Sequence, residues 1–259
     1  ADVGRLVVKS DQTWETRDSP IMFNSLRGGE VYDARREFDV CETDASCWRP
    51  VDIVPPPGGV GEEEAFPLCR ITRVHPMVRR SESMVWSAPV TLTGNVRIRV
   101  RGTSGSKVAL LSSEVLTPDG RHADMEKAGC FLDYGEESKT SQRDVYILRG
   151  GGTEVWAPRF TYHGFRHVEA VIEGEAEVLS LEALEIGTDF PRHASFSASD
   201  GRLGRVAALC DQSIRSNMTG MPTDCPAREK NGWSSEARLQ SEALMYAYDA
   251  GSAHLHYTD

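Results

Sequence analysis

Apolar and charged residues alternate through the middle of the chain. From residue 96 to residue 101, valine or isoleucine alternates with arginine, which places apolar side chains on one strand face and cations on the other. Similar short runs occur at residues 108–116, 144–148, 153–156 and 166–172. Gly150 to Gly152 provide a tight connection between two of them. Many short strands without intervening helices predict an antiparallel β-sandwich from about residue 70 to residue 189.

The first fifty residues contain further strand-like runs, separated by turn-forming residues. These runs lie at residues 6–9, 20–24 and 29–36. Residues 51–64 are crowded with proline and glycine, which interrupt both sheet ladders and helices, so this segment is a predicted linker.

The period changes from two to that of a helix after Ser199 and Asp200, which we predict to cap the first helix. Its apolar stripe is Leu203, Val206, Ala207, Cys210 and Ile214. After a loop, a second helix has the apolar stripe Leu239, Ala243, Tyr246, Ala247 and Ala250. Two helices cannot bury these stripes fully on each other, which predicts the opening of a larger helical domain.

Composition and charge narrow the classes of partner. The chain has 259 residues, 39% hydrophobic and 26% charged, a net charge of −10 and a pI of about 5.3. This acidity disfavours nucleic acids and anionic membrane surfaces, which would repel the protein. The sequence shows no apolar run of membrane-spanning length and no signal peptide, and we expect both ends to be cut from a longer protein. It fixes neither the oligomeric state nor the choice between cytoplasm and secretion.

Six cysteines are scattered along the chain without a Cys-x-x-Cys pair, which disfavours a zinc ribbon. We expect buried or free thiols, and a Cys41–Cys47 bridge stays open for an oxidising compartment.

The loop between the two helices, residues 221–236, concentrates groups that suit a sugar. It contains the carboxylates Asp224, Glu229 and Glu236, together with Arg228 and Trp233. Carboxylates accept hydrogen bonds from neighbouring hydroxyls, an indole covers the apolar face of a pyranose, and a carboxylic acid with a raised pKa protonates a glycosidic oxygen.

Glu229 lies between two cations, Arg228 and Lys230, which alone would lower its pKa. Burial, or the neighbouring charges of Asp224 and Glu236, must therefore outweigh them if Glu229 is to act as an acid near neutral pH.

The same loop resembles the α-L-rhamnosidases of glycoside hydrolase family 78, whose pattern runs approximately Pro-Thr-Asp-Cys-Pro-x-Arg-Glu-x-x-Gly-Trp-x-Gly-Asp-Ala. The matching residues are Pro222, Thr223, Asp224, Cys225, Pro226, Arg228, Glu229, Gly232, Trp233 and Ala237. Residues 146–166 are similar to the end of the family's concanavalin-like β-sandwich, and residues 29–35 to the close of the preceding sandwich.

The resemblance implies a multidomain arrangement, in which antiparallel β-sandwich domains precede the first helices of an (α/α)6 barrel. Residues 1–58 would be the end of an N-terminal β-sandwich domain with its linker, residues 67–190 the concanavalin-like domain, and residues 191–259 the start of the six-hairpin catalytic domain.

The resemblance also implies a reaction, the inverting hydrolysis of terminal α-L-rhamnosides without a cofactor or metal ion. Glu229 would be the general acid, Asp224 and Glu236 would hold rhamnose hydroxyls, and Arg228 and Trp233 would line the same pocket. The family's general base is a second glutamate further along the barrel, beyond residue 259. The expected partner is a rhamnose-containing glycoside or oligosaccharide.

Two departures from the family pattern stand out. Ser235 and Glu236 replace Gly-Asp, and residues 86–89 replace an Asp-Gly-Gln-Asn stretch in the sandwich, where we expect a change of packing. Two alternatives stay open, a carbohydrate-binding β-sandwich protein without catalysis and a related (α/α)6 enzyme acting on rhamnose-containing polysaccharide.

Other titratable residues favour structural readings. His163 lies among aromatic residues in a strand-like run, which indicates a hydrogen-bonded structural residue. His254 and His256 have no acidic partner at ligand spacing, and Glu62 to Glu64 are typical of a solvated linker.

Overall fold

Strands fill most of the chain as far as Thr188, and helices follow. The structure is a computed structural model, which describes residues 10–39, 47–55, 66–129, 135 and 141–258. The strands are β1 (Glu15–Thr16), β2 (Ile21–Ser25), β3 (Gly29–Asp33), β4 (Arg49–Pro50), β5 (Cys69–Pro76), β6 (Val78–Arg79), β7 (Val85–Gly102), β8 (Lys107–Ser113), β9 (Arg143–Ile147), β10 (Thr153–Trp156), β11 (His163–Glu173) and β12 (Ala176–Thr188). The α-helices are α1 (Met125–Ala128), α2 (Gly201–Ser216), α3 (Ser234–Ala247) and α4 (Gly251–Thr258).

Strand β7 organises the main sheet. Its first half pairs with β11 and β6, and its second half pairs with β12 and β10, always antiparallel. Because β7 changes partners along its 18 residues, ten strands form one hydrogen-bonded sheet, with the order β2-β3-β9-β8-β11-β7-β12-β5 and with β10 and β6 on β7. The expected β-rich fold is confirmed, in the form of a continuous curled sheet.

The strands predicted near residues 20–24 and 29–36 are confirmed, and they join this same sheet. The hairpin β2–β3 is attached through β3, which runs parallel to β9 with Val31 opposite Val145. Residues 6–9 and most of the predicted linker lie outside the described residues. The division into domains at residues 58 and 67 stays a prediction.

The alternation read from the sequence marks the core. Val96, Ile98 and Val100 are fully buried, whereas Arg99 and Arg101 are exposed. Leu92 and Phe165 are buried in the same cluster, and the rings of Tyr32, Tyr146 and Trp156 stack beside it. Trp86 and Ala88, in the segment that departs from the family pattern, are buried in the same cluster.

Gly150, Gly151 and Gly152 connect β9 to β10, as predicted. All three have positive φ, at 84°, 90° and 157°, a backbone conformation in which a side chain is strained.

Helix α2 begins where the sequence predicts, because the Asp200 side chain accepts a hydrogen bond from the Arg202 backbone N–H at 2.8 Å. The apolar side chains of its first half face outward, with Leu203 and Val206 more than half exposed. None of the described helices is both long and apolar enough to cross a bilayer.

Helix α3 packs through a different face from the one its sequence stripe suggested. Leu244 and Ala237 are buried, whereas Leu239 and Tyr246 are 78% and 76% exposed. A small apolar cluster beside Leu244 contains Phe190, Met218, Tyr248, Ala250 and Ala253. An isolated β-bridge between Tyr248 and Arg192 follows the end of α3, so Ala250 lies between α3 and α4 rather than within α3.

A buried carboxylate fastens α2 to the sheet. Glu185 on β12 accepts hydrogen bonds from His75 Nε2 at 2.8 Å, from Gln212 Nε2 at 3.3 Å and from Arg215. Burial acts to raise the pKa of Glu185, but the His75 hydrogen bond and the Arg215 charge act against it, and the pKa is held below its ordinary value of 4.5.

We expect this contact to weaken in acid. A carboxyl with a depressed pKa stabilises the fold above its ordinary pKa, and this contribution is lost as the pH falls through the folded-state pKa. Glu185→Gln should lower the free energy of unfolding by about 1–3 kcal/mol at pH 7. This difference in unfolding free energy between the variant and wild type should become smaller below pH 4.5. Urea unfolding between pH 7 and pH 3 measures both effects.

Glu182→Gln is the matched control, since Glu182 lies on the same strand in an exposed pair with Arg97. Its effect should stay below about 1 kcal/mol. If the difference in unfolding free energy between Glu185→Gln and wild type does not change with pH, the ionised Glu185 carboxylate is not the source of the stabilisation.

Candidate active site

The acid-rich loop runs from the end of α2 to the start of α3 and rests on strand β11. Met218 and Pro222 form an isolated bridge, and the Thr223 N–H donates to the Asn217 carbonyl at 2.9 Å. A Cβ atom added to Gly164 on β11 would lie 2.7 Å from Pro226 Cγ. The loop therefore packs directly on the β11 backbone, at a position where only glycine leaves room.

Asp224 closes the loop on itself. Its backbone N–H donates to the Asn231 carbonyl at 3.1 Å, and its Oδ1 accepts from the Asn231 N–H at 3.0 Å. Cys225 Sγ donates to Asp224 Oδ2 at 3.1 Å and accepts from the Glu229 N–H at 3.3 Å. Burial raises the pKa of the Cys225 thiol, which keeps it protonated as a donor.

Glu229 has a fixed main chain and an available side chain. Its N–H is bonded to Cys225, and its carbonyl accepts from Arg27 Nε at 3.0 Å. Within the described part of the chain, its half-buried carboxylate has no hydrogen-bond or ion-pair partner.

The other predicted site residues are distributed around this turn. Arg228 is exposed and lines a cavity of about 450 Å³ together with Glu114, Glu126 and Lys127. Trp233 is the N-cap residue of α3 and is 49% exposed. Glu236 lies in the first turn of α3, where its carboxylate accepts a hydrogen bond from the Ser235 hydroxyl.

The structure thus links Asp224 to the Glu229 main chain through Cys225. Trp233 and Glu236 follow at the start of α3, and Arg228 faces a cavity lined by β8 and α1 residues.

Sequence reasoning did not find the residues that hold this loop in place. Arg27 lies in the turn between β2 and β3, and it reaches both Glu229 and Asn231. Lys230 is buried, with Nζ donating to the Leu26 and Tyr162 carbonyls at 2.6 and 2.5 Å. A positive charge beside Glu229 was visible in the sequence, but its burial was not.

His163 is a hydrogen-bonded structural residue, as predicted. It is fully buried, with Nε2 at 2.9 Å from Asp144 Oδ2 and Nδ1 at 3.2 Å from Gln142 Oε1. Glu62 to Glu64 and His256 fall among residues or side chains that the structure does not describe.

Cys69, Cys210 and Cys225 are free thiols, and the Cys41–Cys47 alternative lies outside the described residues because Cys41 is not described. No group of three or more His, Cys, Asp or Glu side chains suited to a metal ion occurs in the described ranges.

Three family models match the chain in order. The model of the α-L-rhamnosidase N-terminal domain matches residues 1–73, and that of the bacterial α-L-rhamnosidase concanavalin-like domain matches residues 80–186. The model of the bacterial α-L-rhamnosidase 6 hairpin glycosidase domain matches residues 191–257. These matches place the chain in a class of glycoside hydrolases. The chain belongs to the bacterial α-L-rhamnosidase family.

Individual relatives agree with this. A Formosa agariphila α-L-rhamnosidase is 29% identical over 248 residues, covering 93% of this chain and 26% of the relative. The α-L-rhamnosidase structure from Dictyoglumus thermophilum is 30% identical with a TM-score of 0.81, covering 95% of this chain and 28% of the other. That of Streptomyces avermitilis, complexed with L-rhamnose, is 26% identical with a TM-score of 0.79, covering 96% and 24%. The chain spans about a quarter of the length of the curated relatives that it matches.

The contact between β11 and the loop is open to a direct test. In Gly164→Ala, the new methyl group would meet Pro226 at 2.7 Å and the Ala227 nitrogen at 3.1 Å, so the loop must shift. We expect the free energy of unfolding to fall by about 1–3 kcal/mol, measured by urea unfolding.

Gly204→Ala in α2 is the matched control, because nothing lies within 4 Å of its Cβ position. It should stabilise the protein by up to about 1 kcal/mol, since alanine favours helix. Equal effects from the two substitutions would contradict the close packing at Gly164.

Proposed function

We propose that this chain carries the general acid of an inverting α-L-rhamnosidase, and that the acid is Glu229. The observation that supports this most directly is the state of Glu229, whose main chain is held at both N–H and carbonyl while its half-buried carboxylate has no partner in the described part of the chain. A proton donor needs this combination of fixed direction and open contact.

In the proposed reaction, Glu229 protonates the glycosidic oxygen as the bond to the sugar breaks. A second carboxylate, in the part of the family's helical barrel that follows the residues matched here, activates water on the opposite face of the ring. Inversion requires the two carboxyl groups to be far enough apart to admit this water.

The remaining site residues are proposed to hold the sugar. Asp224 and Glu236 would accept hydrogen bonds from rhamnose hydroxyls, the exposed indole of Trp233 would cover the apolar face of the ring, and Arg228 would line the rim. The substrate class is therefore a terminal α-L-rhamnoside.

The organisation of the chain is part of the same proposal. Residues 1–58 and 67–190 would belong to two β-domains, and residues 191–259 would open an (α/α)6 barrel. The outward-facing apolar side chains of α2 support this, because a helix in a larger bundle is apolar on more than one side.

Glu229→Gln in the full-length gene product tests the acid. Methyl α-L-rhamnoside has a poor leaving group that must be protonated, so its kcat/KM should fall by about 100- to 10,000-fold. The 4-nitrophenolate group of 4-nitrophenyl α-L-rhamnoside leaves readily without a proton, so kcat/KM for this substrate should fall much less.

Glu242→Gln is the control, because Glu242 is an exposed carboxylate on α3 outside the loop. Its kcat/KM for both substrates should equal that of wild type. If wild-type protein binds L-rhamnose by calorimetry but hydrolyses neither glycoside, the carbohydrate-binding alternative is correct instead.

Inversion has its own readout. The first sugar released from an α-L-rhamnoside should be β-L-rhamnose, observed by proton NMR before mutarotation. An α-configured first product would contradict inversion, and an unsaturated product would identify a lyase.

A further inference from the structure

The support of the acid-rich loop comes from a point about 200 residues earlier in the chain. Arg27, in the turn between β2 and β3, donates from Nε to the Glu229 carbonyl at 3.0 Å and from a terminal nitrogen to Asn231 Oδ1. Asn231 in turn bonds to Asp224 twice, its carbonyl accepting from the Asp224 N–H and its N–H donating to Asp224 Oδ1. One planar guanidinium therefore bonds both to Glu229, the proposed acid, and to Asn231, two residues further along the loop.

Lys230, between these two contact points, is turned into the protein. Its side chain is 1% exposed, its φ is +54°, and its ammonium lies 4.9 Å from the centre of the Tyr162 ring. Left-handed backbone is unfavourable for lysine, and a buried ammonium needs hydrogen-bond acceptors. The β2–β3 turn and the residue before β11 supply two such acceptors, the Leu26 and Tyr162 carbonyls.

The β2–β3 turn is itself rigid enough to act as a support. Ser25 Oγ accepts hydrogen bonds from the Arg27 and Gly28 N–H groups at 3.2 and 3.0 Å. The Leu26 carbonyl also accepts from the Thr161 hydroxyl at 3.1 Å. The turn is thus held to its own strand and to the segment that leads into β11.

We propose that Arg27 is a positioning residue for catalysis, which fixes the direction of the Glu229 carboxylate by holding its main-chain carbonyl and the neighbouring Asn231. The inference rests on the proposed function of Glu229. A proton donor must lie within about 2.6–3.2 Å of the leaving oxygen, and a displacement of about 1 Å costs roughly 100-fold in rate. The β2–β3 hairpin is therefore part of the catalytic apparatus.

A leaving-group comparison separates positioning from a general loss of folded protein. Misplacing the acid slows only the substrates that need its proton, whereas partial unfolding slows all substrates equally. In Arg27→Met, kcat for methyl α-L-rhamnoside should fall by about 10- to 100-fold, and kcat for the 4-nitrophenyl substrate by less than about threefold. Arg27→Lys should be intermediate, because an ammonium cannot reproduce both directed contacts.

Arg101→Met is the matched control. Arg101 on β7 forms an exposed pair with Glu177 on β12. It lies seven residues, or about 23 Å, along β7 from Gly94, which pairs with His163 at the start of β11. Both substrates should be hydrolysed as by wild type. If Arg27→Met does not fold, Asn231→Ala removes the side-chain acceptor of Arg27 and should give the same selective loss.

Three results would overturn the inference. The first is an equal loss on both substrates in Arg27→Met, or in Asn231→Ala where the arginine variant does not fold. The second is that the same variant hydrolyses methyl α-L-rhamnoside at the wild-type rate while Glu229→Gln is impaired. That result would leave the proposed function of Glu229 intact. The third is wild-type hydrolysis by Glu229→Gln, which removes the acid assignment and the positioning role together.

Discussion

The Lys230 ammonium joins three distant parts of the chain. It is removed from water and donates to the carbonyls of Leu26 in the β2–β3 turn and Tyr162 before β11. Burying a charge costs several kcal/mol unless its hydrogen bonds are replaced, so these two carbonyls must stay where they are for the loop to keep its shape. The geometry around Glu229 is therefore coupled to the position of the first hairpin on the sheet.

A second buried network holds the strands beneath this contact. His163 and Asp144 bond to each other at 2.9 Å, and the Glu30 N–H donates to Asp144 at 2.9 Å. Gln142 bonds to His163 and donates to the Gly164 carbonyl at 2.7 Å. Strands β3, β9 and β11 are thereby tied together by side chains as well as by their ladders, next to the residues that carry the loop. Such fully buried polar networks specify one arrangement, because a shifted strand would leave them unsatisfied.

Sequence reasoning was strongest where a local pattern has one structural meaning. The alternation of residues 96–101 required a strand with one buried face, and Asp200 before an apolar helical period required a helix start. It was weaker where two faces are apolar. On α3 the exposed Leu239 and the buried Leu244 are the same residue type, and only the position of the cluster around Met218 and Tyr248 decides which one is covered.

For the candidate site, sequence supplied the groups that would act and not those that support them. Asp224 and Glu229 stand out because a motif surrounds them. Arg27 is separated from Glu229 by 202 residues and lies in an ordinary polar turn, so no local period or spacing connects the two. Lys230 was read as a cation beside Glu229, but a φ of +54° and complete burial are consequences of tertiary contacts.

The replacement of Gly-Asp by Ser235 and Glu236 has a local physical basis. Glu236 lies in the first turn of α3, where the helix dipole favours a negative charge, and its carboxylate is bonded to the Ser235 hydroxyl. Trp233 caps the helix without a side-chain hydrogen bond, so Ser235 and Glu236 contribute the polar groups at this helix start. A further hydrogen-bond donor at Glu236 must therefore either share the carboxylate with Ser235 or displace it. Since a carboxylate has about four lone-pair sites, Glu236 can keep the helix-start contact and still accept a further hydrogen bond, as its proposed role requires.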